Sequence, residues 1–325
     1  MIDNIKIILK DFSGNFSNCV LQPNTNEDGL DLYDNYQLTS LNVRNRAKLE
    51  IKHNKSTDII TVTGSLRKWF LGENTLLDLR RISLEKTLFK LGEKLNIPLS
   101  ELYDASFTQI ELGQNVKVGI PVHKLKSGVV KYGSHYENTA YGSYDTTGYF
   151  SASKKQFKIY DKLIDISRYN TKDKKYAMRT LRKHNVHFAR LEFTLYNKSS
   201  RDVNLIRHIE KIGHLVEYYH DLWSYWKKEA KRLIVESRVD VKTNSIKRKD
   251  AVLGMWLNRM GYIWLEKYLL GNAKSKTHRG LISKKSRIRG NLIKFMKKYS
   301  CSNSYSKESF LADLNTHILR IENRD

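Results

Sequence analysis

Four short stretches alternate apolar and polar residues with a period of two, and this pattern limits the fold more than any other feature. In KLEIKHN (48–54), Leu49 and Ile51 share one parity, while Lys48, Glu50 and Lys52 share the other. In FTQIELG (107–113), Ile110 and Leu112 oppose Gln109 and Glu111. In QFKIYDKL (156–163), Phe157 and Ile159 oppose Lys158, Tyr160 and Lys162. In FARLEFTL (188–195), Leu191, Phe193 and Leu195 oppose Arg190 and Glu192. Successive side chains of a strand point to opposite faces. If the four strands share one sheet, an aliphatic face calls for a cover of helices. The other face then collects Glu50, Glu111, Glu192, Tyr160 and several cations. The expected class is α+β, with helices on one face of an antiparallel-rich sheet, for which a ferredoxin-like centre is one arrangement.

Other segments set the organisation. IKIILKDF and DIITVTGSL extend the strand pattern to about residue 65. Residues 75–95 carry apolar side chains at helical spacing, and Pro98 follows where a helix should end. Residues 127–149 are rich in Gly, Ser, Tyr and Thr and suggest turns and a hairpin or loop. A polar basic connector (168–185) leads to the last strand. From Ser199 the character changes. Ser200 or Asp202 can cap a long helix over 203–237, and helices follow at 251–271 and 286–299. The expected division is a catalytic domain over 1–200 and a basic, all-helical DNA-binding domain over 201–325.

Lys and Arg total 58 against 34 Asp and Glu, a net charge of +24. Such an excess implies a polyanionic partner, and nucleic acid fits better than a membrane, because no basic amphipathic anchor stands out. A lysine-heavy solvated surface is the plain alternative. Between Lys227 and Ser300 there are 21 Lys/Arg against 5 Asp/Glu. Lys284, Lys285, Arg287 and Arg289 lie there. They suit either the reading helix of a helix-turn-helix or a basic face that grips phosphates without reading bases. No apolar run reaches membrane-spanning length, and the first residues are charged too soon for a signal peptide. Cys19 and Cys301 form neither a disulfide framework nor a metal pattern, which points to a reducing cytosol.

Clustered carboxylates repel unless a cation joins them, and oxygen ligands suit Mg²⁺ or Mn²⁺. The alternative is three solvated glutamates paired with lysines. His184 and His187 do not make a two-histidine strand site, because a spacing of three puts them on opposite faces. Tyr160, flanked by Lys158 and Lys162, is a candidate nucleophile whose neighbours favour the phenolate. Tyr132, Tyr141, Tyr144 and Tyr149 are candidates for stacking on unpaired bases.

The order LEIKHN, GSLRKWFLGEN (64–74), amphipathic helix, TQIELG, KIYDKLID and ARLEFTL resembles the phage and plasmid replication initiators of the filamentous-phage gene II family. The resemblance covers roughly residues 1–200. It implies rolling-circle replication initiation in the cytoplasm of a bacterial host. One strand of a double-stranded origin is nicked, a 5′-phosphotyrosine forms, and a 3′-hydroxyl is freed for the host polymerase, with a host helicase opening the duplex. Single-stranded DNA is the second substrate, because the displaced strand is later rejoined. Carried over by motif, Tyr160 is the nucleophile and Lys162 its companion. Glu111, Glu192 and Glu50 hold Mg²⁺ or Mn²⁺, and Lys68, Lys158 and Arg190 contact DNA. Gln109 and Glu111 depart from the Arg and Asp usual in their motif. A conjugative relaxase or transposase of the same chemistry, and a non-catalytic origin-binding protein, are the alternatives.

Overall fold

The computed structural model describes residues 1–22, 32–40, 47–72, 76–133, 135–136, 147–151, 155–168, 172–184, 186–196, 208–235, 262–274, 277–299 and 307–322, with a few positions between 250 and 256. The strands are β1 (Ile2–Leu9), β2 (Val20–Gln22), β3 (Tyr33–Thr39), β4 (Lys48–Asn54), β5 (Ile59–Ser65), β6 (Ser106–Val118), β7 (Val129–Tyr132), β8 (His135–Tyr136), β9 (Thr147–Ser151), β10 (Lys155–Asp161), β11 (His187–Tyr196) and β12 (Leu233–Val235). The helices are α1 (Leu66–Leu71), α2 (Arg81–Leu95), α3 (Leu99–Asp104), α4 (Val122–Gly128), α5 (Lys162–Arg168), α6 (Lys172–Lys183), α7 (Ile212–Glu217), α8 (Tyr219–Ala230), α9 (Tyr262–Gly271), α10 (His278–Tyr299) and α11 (Lys307–Glu322).

Nine strands form one sheet in the order β2-β3-β4-β5-β1-β6-β11-β10-β9. Every pairing within it is antiparallel. A second sheet, β12-β7-β8, is small. Alternation of apolar residues places β4, β6, β10 and β11 as the sequence pattern requires. Leu49, Ile51, Ile110, Leu112, Phe157, Ile159, Leu191 and Phe193 are all buried. Phe157 stacks between Tyr132 and Phe193, with ring centroids 5.1 and 4.9 Å away. Trp226 of α8 meets Phe193 edge-on and donates from Nε1 to the Leu191 carbonyl at 3.3 Å. Each such side chain contributes about 1.5–3 kcal/mol by leaving water, so this aromatic block fastens α8 to the sheet.

Among the described residues, three helices beyond residue 200 share the core of the sheet. Leu215 of α7, Leu222 and Trp226 of α8, and Phe310, Leu314 and Ile318 of α11 belong to the same hydrophobic core as β1 and β6. The expected boundary near 200 therefore cuts through one core. The single helix expected over 203–237 is instead α7, a break at Tyr218, α8 and then strand β12, which pairs with β7. Its proposed caps Ser200 and Asp202 lie outside the described residues. Leu265, Leu292 and Phe295 of α9 and α10 are buried outside the main core. These two helices are what the structure describes of the expected basic helical unit. No helix among the described residues is long and apolar enough to cross a membrane.

Candidate active site

The polar face of the sheet gathers its charges at β1, β6, β11 and β10. Glu111 stands opposite Thr194, Gly113 opposite Glu192, Glu192 opposite Lys158, and Arg190 opposite Tyr160. These side chains therefore share one face. Tyr160 points to this face and not into the aliphatic core. Its hydroxyl donates to Glu192 Oε1 at 2.8 Å.

Strand β1 adds a residue that parity hides. Ile2 pairs with Leu112 and Ile5 with Ile110, so Asp3 and Asn4 together oppose the single Glu111. Two residues against one is a β-bulge, which re-aims side chains. Asn4 Nδ2 donates to Glu111 Oε1 at 2.8 Å, and Asp3 turns toward Arg190.

Arg190 is completely buried and holds the site together. Its Nη2 reaches Asp3 at 2.5 Å, its Nη1 reaches Asp78 at 2.7 Å and Asn115 at 3.1 Å, and its Nε reaches Glu192 at 2.5 Å. A guanidinium so buried spends its hydrogen bonds on the protein's own carboxylates and Asn115, where the sequence expectation is DNA. Gly113 makes room for it: a Cβ there would come within 2.5 Å of Nη2.

Two short helices complete the site. Ser65 caps α1, accepting from the Lys68 amide at 3.0 Å, and its hydroxyl also bonds Asp3. Arg67, buried in the first turn, donates from Nε to Asp3 Oδ2 at 3.1 Å. Asp161 ends β10 by accepting from the amides of Leu163 and Ile164 at 2.9 and 3.0 Å. Lys162 therefore opens α5 and does not continue the strand. It is buried, with Nζ 2.6 Å from Asp165 and 5.8 Å from the centre of the Tyr160 ring. Lys68, Thr147, Tyr149, Lys158, Tyr160 and Asp165 line an open cleft of about 160 Å³.

Burial and charge set the protonation states. Burial and the neighbouring Glu192 push Glu111 up to about 7. Burial also raises Glu192, but Lys158 and Arg190 outweigh it and hold that carboxyl below its ordinary range. Asp3 lies well below it, because Arg67 and Arg190 overcome its burial. Burial, then Glu192, lifts Tyr160 well above the usual phenol value. The resting tyrosine is therefore protonated, and its flanking lysines do not create a phenolate. Lys158 is drawn to Glu192 and to Glu111 Oε2, 3.7 Å away. Burial and Arg67 lower Lys162 to about 8.

Asp3, Glu111 and Glu192 each offer a carboxylate oxygen, all within 4.8 Å of one another. Hard oxygen donors gathered in this way could hold a divalent metal ion. Glu111, raised by its burial and by Glu192, is the carboxylate such an ion would relieve. Glu50 is not part of this set. It lies on the same face, but three strands away on β4, and is exposed. Lys158 bridges carboxylates, and Lys68 faces the cleft. Arg287 and Arg289 are exposed on α10, while Lys284 and Lys285 are half-buried there. Tyr149 lines the cleft, but Tyr132 is buried and cannot stack on bases. Tyr141 and Tyr144 lie outside the described residues. His184 is exposed at the end of α6 and His187 is buried at the start of β11. Sequence reasoning misses Asp3, Arg67, Asp78 and Asp165. The Ser65 cap is a readable sign that Arg67 and Lys68 sit in a helix. No known protein family and no curated protein matches the chain.

Proposed function

We propose that this protein is a metal-dependent tyrosine DNA nickase and strand-transferase of the kind that initiates rolling-circle replication. One observation carries the reading. Tyr160 donates to Glu192 at the mouth of a lysine-lined cleft, on the face that gathers three carboxylates. The order β1-β6-β11-β10 supports it. Read cyclically from β6, it sets the first strand between the last and the third, as a ferredoxin-like sheet does.

In this reading Lys68 and Lys158 receive a DNA phosphate and Tyr149 stacks on an adjoining base. The Tyr160 oxygen attacks phosphorus and the P–O3′ bond breaks. The phenol proton passes along the existing hydrogen bond to Glu192, and Lys162, poised near 8, lends a proton to the leaving O3′. Reversal rejoins the strand. Asp3, Glu111 and Glu192 would hold Mg²⁺ or Mn²⁺, which supplies charge neutralisation at the phosphate. Exposed cations of α10 hold duplex DNA. A relaxase or transposase shares this chemistry and differs in its DNA.

The test is covalent capture. Protein, Mn²⁺ and negatively supercoiled DNA of the element that encodes it yield a nicked circle with protein attached, and peptide mapping places the link at Tyr160. Tyr160→Phe abolishes it. Binding without any adduct favours the non-catalytic alternative, which the protonated, part-buried phenol also suits.

A further inference from the structure

Strand β6 outruns β1, which first pairs through Ile2 with Leu112. From Gln114 to Val118, β11 is its one strand partner among the described residues. A strap of chain over residues 76–80 runs along the other side. The Asn115 side chain donates to the Leu76 carbonyl at 2.8 Å, and the Asn115 amide donates to Asp78 at 3.3 Å. The strap serves both faces of the sheet. Asp78 holds Arg190 on the polar face, while the Leu79 carbonyl accepts from the Tyr219 hydroxyl of α8 at 2.9 Å. Between the strap, β6, β11, α8 and α11 lies a cavity of about 220 Å³.

Its lining combines three kinds of group. Phe188, Tyr219 and Trp223 bring aromatic rings. Lys117 and Arg320 bring cations on exposed side chains, and Asp78, the one acid among the lining residues, is already paired with Arg190. Gln114 and His317 bring polar groups that the fold leaves unused. Gln114 shares the parity of Leu112 and Val116 and is buried, and among the described residues no hydrogen bond engages its carboxamide. His317 Nε2 is buried and has no hydrogen-bond partner among the described residues. Burial lowers His317 to about 4, so near neutral pH it is an uncharged imidazole.

Buried polar groups without partners are costly, so this cavity favours a ligand that pairs them. A fatty acid would leave Gln114 and His317 unpaired, and a sugar would leave the rings without a flat partner. A nucleobase stacks on rings and offers donors and acceptors along its edge, and a phosphate answers a lysine and an arginine. We infer that the cavity binds a nucleoside monophosphate, its base against the rings with Gln114 and His317 at the base edge, and its phosphate at Lys117 and Arg320. The cavity shares no lining residue with the Tyr160 cleft, and the inference does not rest on the nickase reading.

The test is calorimetric titration of the full chain in EDTA with dAMP, and in parallel with deoxyadenosine and with inorganic phosphate. Wild type binds dAMP about tenfold more tightly than either part. The double variant Lys117→Ala/Arg320→Ala loses about tenfold of dAMP affinity and keeps that for deoxyadenosine, which also shows that it is folded. Gln114→Leu weakens dAMP and deoxyadenosine alike. Lys68→Ala, in the Tyr160 cleft, leaves dAMP affinity unchanged. No binding of dAMP, deoxyadenosine binding as tightly as dAMP, or full dAMP affinity in the double variant overturns the site. Loss of dAMP binding in Lys68→Ala also overturns it, because the nucleotide then sits in the Tyr160 cleft.

Discussion

Glu111→Gln should stabilise the metal-free protein, although it removes a charged residue that makes hydrogen bonds. The wild-type carboxyl is raised from 4.5 to about 7 by burial and by Glu192. A tenfold change in proton affinity is worth about 1.36 kcal/mol, so ionised Glu111 costs the fold roughly 3 kcal/mol above pH 7. Between 4.5 and 7 the folded protein holds a proton here that the unfolded chain has released. Wild-type stability therefore falls as pH rises through that window. Glutamine copies the neutral form and can keep the Asn4 and Thr194 contacts. In EDTA at pH 8 the variant should melt about 4 °C higher, given roughly 2.1 cal/mol/K of unfolding entropy per residue over this length. At pH 5 the two should melt together. Adding Mn²⁺ at pH 8 should raise wild type and leave the variant nearly still. A variant less stable than wild type by the same amount at both pH values would refute the reasoning, since it would mean that Lys158 already compensates Glu111 in full.

Three further outcomes follow from the same contacts. Arg190→Gln leaves Asp3, Asp78 and Glu192 short of their shared cation and should cost about 3–5 kcal/mol by urea denaturation. Asp161→Ala removes the acceptor at the start of α5, costs about 1 kcal/mol, and should slow nicking through a displaced Lys162 while DNA affinity holds. The nicking rate should be bell-shaped in pH. It rises as Glu111 ionises near 7 and falls as Lys162 loses its proton near 8. The acidic limb should move to lower pH as Mn²⁺ is increased, and Lys162→Gln should remove the alkaline limb.

Period-two reading succeeds where strands pair without interruption. β6, β10 and β11 are in continuous register, so the faces of Glu111, Tyr160 and Glu192 follow from spacing alone. It misleads where one residue changes the count. Asp3 has the parity of Ile5, Ile7 and Leu9, three core residues, and only the bulge against Glu111 brings it to the polar face. Lys162 has the parity of Tyr160, yet the Asp161 side chain ends the strand and turns Lys162 into a helix. That turn was legible, since an aspartate before an apolar run is a helix-start signal. The bulge was not, because nothing in IDNI distinguishes it from a regular strand.

Partners were less legible than faces. An apolar helix stripe records that something covers it and not what does. The stripes of α7, α8 and α11 suit a separate bundle as well as they suit the sheet, and aromatic packing of Trp226 on Phe193 is a long-range fact. Charge misleads for the same reason. On a chain of net charge +24, an arginine on the polar face invites a phosphate as its partner. A sheet that buries Asp3, Glu111 and Glu192 together must first supply its own cations, or ionising all three becomes prohibitive. Arg190 and Lys158 meet that internal demand, Arg190 wholly out of solvent and Lys158 at the wall of the cleft that Lys68 also lines.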